Sequence, residues 1–72
     1  MKGMNRVLIG IRGHPTPEGM ARILQVLQGL EGVSRAESPA PAQVEVEYDP
    51  HRLTVMDLIR RIREEGFLAG ML

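Results

Sequence analysis

The chain of 72 residues contains no cysteine. Disulfides and thiolate-bound structural zinc are therefore excluded as reinforcement, and no thiol nucleophile is available. At this length roughly 60% of the unfolded chain's surface can be buried, so a small core has to hold by packing alone. Neither charge is in excess, since nine basic residues balance nine acidic ones. That balance argues against a protein built mainly to neutralise a phosphate backbone, and nucleic acid is not an expected partner. Long apolar runs are missing as well. The opening "MKGMNRVLIGIRG" has a short apolar stretch broken by glycine and arginine, too brief for a signal peptide or a spanning helix. No membrane insertion and a cytoplasmic location are expected. The chain also lacks a serine, histidine and acid trio and a carboxylate pair on apolar ground, so no catalytic residue, and no enzyme, is expected.

What is present is patterned. In "RVLIGIR", residues 6 to 12, Val7, Ile9 and Ile11 alternate with Leu8, Gly10 and Arg12, which predicts a half-buried strand. At Thr16-Pro17-Glu18 a helix should begin: threonine caps, proline suits the first helical position, and glutamate favours the positive end of the dipole. Met20, Ile23, Leu24, Leu27 and Leu30 form its apolar stripe, and Gly32 is the expected stop. A short strand is expected from Val33 to Glu37, then a stiff loop, "SPAPA", at 38 to 42. "VEVEY" is the clearest strand, with Val44, Val46 and Tyr48 on one face and Glu45 and Glu47 on a wet one. "DPHRL" turns the chain, Thr54 caps a second helix with Asp57 at its third position, and Val55, Leu58, Ile59 and Ile62 make the stripe. Asp57 is spaced to meet Arg60 and Arg61. Gly66 stops this helix, and "FLAGML" follows as an edge strand.

The order strand, helix, strand, strand, helix, strand predicts a single α+β domain over residues 1–72. Its architecture is a ferredoxin-like βαββαβ two-layer sandwich, a four-stranded antiparallel sheet with two helices on one face. RNA-binding modules of this topology stack bases on aromatic residues of the central strands. Here the open face should present Leu8, Gly10 and Arg12 beside a repulsive pair, Glu45 and Glu47, with no aromatic.

Several framework residues occur in the order of a known pattern: Gly13, then Ile23, Leu27 and Leu30, then "EGV" at Gly32-Val33, "VEYDP" at 46 to 50 and "EEGFLA" at 64 to 69. In these the sequence resembles, over nearly its whole length, the heavy-metal-associated domain of copper chaperones and of metal-pumping P-type ATPases. The resemblance implies metal binding or transport, and a metal-transporting ATPase or related domain as protein partner. That family's motif is Gly-Met-Thr-Cys-x-x-Cys. Matched to it, the first cysteine falls on Thr16, the second on Gly19, and the methionine on His14.

Cu(I) wants soft thiolate donors, whereas a threonine hydroxyl is hard and glycine has no side chain. The expectation is a degenerate member that binds heavy metal weakly or not at all and serves as a docking or regulatory module in metal handling. No cofactor is expected. If copper or zinc is held, His14 is the one candidate metal ligand, because Met20 belongs to the helix stripe, Met1 and Met4 lie outside the loop, and His51 should lie at the opposite end. The alternative is a small-molecule-binding regulatory domain of ferredoxin-like fold. A homodimer through an exposed sheet edge or the open sheet face is also open to it.

Overall fold

The computed structural model describes residues 3–72; Met1 lies outside them. The elements are β1 (Asn5–Ile11), α1 (Pro17–Gln28), β2 (Val33–Glu37), β3 (Gln43–Tyr48), α2 (Val55–Glu64) and β4 (Ala69–Met71). They build one antiparallel sheet in the order β2-β3-β1-β4, with β2 and β4 at its edges. This is the ferredoxin-like sandwich that the sequence predicts.

The alternation in β1 and β3 decides the layers. Val7 pairs with Val46 and Ile9 with Val44, so both strands present aliphatics to the same side. Ile9, Val44 and Val46 are fully buried there, with Ile11, Tyr48 and Ala36 nearly so. Ile23 and Leu27 of α1 and Leu58, Ile59 and Ile62 of α2 close the core from above. Apolar spacing of three and four residues is what lets each helix lay one stripe on a flat sheet.

Both helix starts follow from local chemistry. The Thr16 hydroxyl accepts a hydrogen bond from the Gly19 amide at 3.0 Å, with Pro17 at the first helical position. At α2 the capping box is complete: the Asp57 amide donates to the Thr54 hydroxyl at 3.2 Å, and the Thr54 amide donates to the Asp57 carboxylate at 2.9 Å.

The ends of elements depart from the sequence reading. Helix α1 stops at Gln28, capped by Gly29, rather than running to Gly32. Beyond Gly29 the chain tightens, with the Leu30 amide on the Leu27 carbonyl and the Val33 amide on the Leu30 carbonyl. Gly32, at φ +102°, makes the reversal into β2; the left-handed conformation it supplies is used by the turn, not by the helix end. Strand β4 is only three residues, Ala69–Met71, paired with Ile9 to Ile11 of β1. Asp57 meets Arg60, but Arg61 reaches forward to Glu64 and Glu65 instead.

The open face also differs. Arg6 pairs with Glu47, and Arg35 with Glu37, which relieves Glu47, while no ion pair reaches Glu45 among the described residues. A bulge between Val33 and Arg35 places the Ser34 hydroxyl 2.9 Å from the Glu47 carboxylate.

Two carboxylates carry a pH dependence. Donation from Ser34 and Arg6 holds Glu47 below the usual carboxylate range, and donation from the Thr54 amide does the same for Asp57. A folded-state pKa below the unfolded one adds stability that is complete above about pH 4.5 and is lost as pH falls through the folded value. The urea midpoint should therefore drop between about pH 6 and about pH 3. The Glu47→Gln, Asp57→Asn double variant should lose a measurable part of that drop.

Candidate functional site

One end of the sandwich gathers the segments that the family resemblance singled out. Pairing of Gly10 with Gln43 and of Ile11 with Ala69 brings the end of β1, the start of β3 and the start of β4 together. Two backbone bonds fasten them: the Ile11 amide donates to the Ala42 carbonyl at 2.7 Å, and the Arg12 amide to the Leu68 carbonyl at 2.8 Å. The loop from 12 to 16, the "SPAPA" hairpin and the Gly66-Phe67 turn therefore share this end. The hairpin is held by the Ser38 hydroxyl on the Ala40 carbonyl and by Ala42 in the left-handed region, at φ +60°.

Gly13, at φ +81°, turns the chain out of β1, and His14 follows on the exposed loop. Thr16 and Gly19, the positions matched to the two cysteines, are both taken up structurally. The Thr16 hydroxyl is committed to the Gly19 amide as helix cap. Gly19 supports an aromatic ring. A Cβ placed there would lie 3.1 Å from Phe67 Cζ, 3.2 Å from its Cε1 and 3.3 Å from the Thr16 oxygen, closer than ordinary packing allows. The ring of Phe67 packs partly buried against the core. In place of two converging donors, this end has a hydrogen-bonded cap beneath an aromatic lid.

The other sequence candidates are dispersed. Met20 is half-buried against the core, as its place in the stripe implies. Met4 precedes β1 and lines a shallow concavity with Gly32, Ser34, Asp49 and Arg52, at the far end of the sheet. His51 lies at that far end too, in a turn where its amide donates to the Asp49 carboxylate at 2.9 Å. Among the described residues no group of three or more histidines, acids or cysteines is arranged to hold a metal ion. Phe67 is the residue whose role the sequence left unassigned; its signal was the glycine three positions after the cap, a residue that a helix interior disfavours.

No family model matches the sequence, and no curated protein matches it. The fold has close counterparts among solved structures. A copper binding domain from HMA7, a P-type ATPase, superposes with a TM-score of 0.85 at 23% identity, covering 100% of this chain and 95% of that one. Oxidized MerP from Ralstonia metallidurans CH34 gives 0.87 at 17% identity, over 96% of this chain and 97% of the other. The N-terminal domain of a potential copper-translocating P-type ATPase from Bacillus subtilis, in the Cu(I)-loaded state, gives 0.86 at 27% identity, over 96% and 88%. The chain thus has the fold of the heavy-metal-associated, copper-chaperone-like domains, and carries Thr16 and Gly19 where the motif has its two cysteines.

Proposed function

We propose that the chain is a heavy-metal-associated-type module of metal handling that binds heavy metal weakly or not at all and works by docking to a protein partner. The observation that carries this is the chemistry at the two cysteine positions: a hydroxyl already bonded to the helix and a glycine beneath Phe67. Neither offers the soft, polarisable donor that Cu(I) prefers. His14 is the remaining candidate anchor, and one imidazole makes a poor site without a second donor.

The end that bears Pro15, Pro39, Pro41 and Leu68 keeps its framework without the ligands. The solved structures of similar fold include domains of P-type ATPases and the CopZ metallochaperone, which supports a metal-transporting ATPase or a related domain as partner by analogy of fold. On the same analogy the module is no enzyme. No helix among the described residues is long and apolar enough to cross a membrane, and a cytoplasmic site of action accords with the handling role.

Titration of Cu(I) and Zn(II) against a chromophoric competitor under reducing conditions tests the reading. Both the chain and its His14→Ala variant should leave the metal with the competitor. Tight, stoichiometric binding that disappears in His14→Ala would overturn it and make the 13-to-20 turn a thiolate-free ligand loop.

A further inference from the structure

The two edges of the sheet are built differently. At β2 the edge is blocked: the Gln28 side chain reaches from α1 and donates to the Ala36 carbonyl at 3.1 Å, a bulge interrupts the ladder, and Arg35 and Glu37 place charge along it. These are the devices by which a strand refuses further pairing. At β4 none of them is present. The segment from Phe67 to Leu72 has no charged side chain and no proline, and Leu68, Met71 and Leu72 are each about two-thirds exposed.

The backbone of β4 leaves a defined set of groups free. The Leu68 carbonyl and the Leu72 amide face β1, where they bond Arg12 and Leu8, and Gly70 pairs with Gly10. By alternation the amides and carbonyls of Ala69 and Met71 point outward from the sheet.

We infer that β4 is a self-association edge, pairing antiparallel with β4 of a second copy about a twofold axis through Gly70. In that register Ala69 of one copy faces Met71 of the other, so the outward groups form two hydrogen-bonded pairs related by the axis. Gly70 meets Gly70 at the axis, the close, non-hydrogen-bonded position, where the lack of a side chain permits approach. The same register sets Leu68 of each copy opposite Leu72 of the other, covering the exposed leucines of both. A second copy is the occupant this edge fits because a single register satisfies the free backbone groups, the glycine and both leucines together. The open sheet face is a poorer choice, since Arg6 with Glu47 and Arg35 with Glu37 are paired within the chain and Glu45 would bring a further carboxylate from each copy.

A pairing of this length buries less than the roughly 1,200 Å² of standard interfaces, so the dimer is weak and forms at about 100 µM and above. Sedimentation of the full chain from about 10 µM to about 1 mM should raise the average mass from 8.0 kDa toward twice that. Amide chemical shifts should move with concentration at residues 68 to 72 and stay fixed at 33 to 37. Leu68→Glu should weaken association about tenfold, and Leu68→Lys combined with Leu72→Glu should restore it, because position 68 of one copy meets position 72 of the other. A chain still monomeric at about 1 mM, shifts that map to β2, the open face or the His14 loop, or a double variant that fails to recover association overturns the assignment. The metal titration reads the loop from Gly13 to Gly19, which contributes no group to this strand pairing, so its outcome is independent of this one.

Discussion

A chain carrying both Thr16→Cys and Gly19→Cys should hold Cu(I) at least about a thousandfold more tightly than the unmodified chain, because two thiolates replace a hydroxyl and a hydrogen atom. The fold needed for this is present: 96% of the chain is covered in the match to a domain solved in a Cu(I)-loaded state, with a TM-score of 0.86. The gain carries a structural cost. Loss of the Thr16 cap should remove about 1 kcal/mol from the metal-free form. A side chain at 19 must also displace the Phe67 ring by a few tenths of an ångström. Adding Phe67→Leu should relieve the second effect, so the triple variant should melt higher than the double one without metal and bind Cu(I) no less tightly. Competitor titrations and metal-free thermal melts measure the two sides separately. Failure of the double variant to hold Cu(I) would mean that the loop from Gly13 to Gly19 aims those positions apart, and the likeness to metal-carrying domains would stop at the framework.

Leu27→Ala should be the most damaging single truncation. Leu27 is fully buried among Ile23, Leu58 and Ile62 at the centre of the core. Leucine truncations at such sites cost about 3 to 5 kcal/mol, from lost transfer energy plus the cavity left behind. A domain of this size has only about 4 to 11 kcal/mol to lose, and no disulfide or metal cluster supplements it among the described residues. The melting temperature should fall by about 12 °C or more, read by circular dichroism or calorimetry. Leu68→Ala, at an exposed position, should stay within about 0.5 kcal/mol of the parent. A Leu27→Ala cost no larger than that of Leu68→Ala would mean that α1 is not docked on the sheet through this residue.

The elements with a strong period were legible in advance. The strict alternation of Val44, Val46 and Tyr48 admits only one buried face, and the stripes of α1 and α2 admit only one docking side, so strand, helix and layer order follow from spacing alone. Caps were legible for the same reason: Thr16-Pro17 and Thr54 with Asp57 are satisfied within one turn of chain, without help from elsewhere. Ends of elements were less so. Both Gly29 and Gly32 can stop a helix, and the choice fell to the turn that carries the chain back to β2, where Gly32 is needed at positive φ. Arg61 had acids within reach on either side, and the local sequence does not rank them.

The candidate site divides along the same line. Sequence alone determined that the thiolates are absent and that threonine and glycine stand in their places, since composition and spacing along the chain decide which donors exist. Tertiary structure decided what those positions do instead. Phe67 lies 48 residues beyond Gly19 in the chain, and only the pairing of β4 with β1 brings its ring over the first turn of α1. The same holds for Arg6 with Glu47 and for Gln28 on the edge of β2. Contacts between distant segments depend on register and on the docking of helices against the sheet, and no local periodicity encodes them.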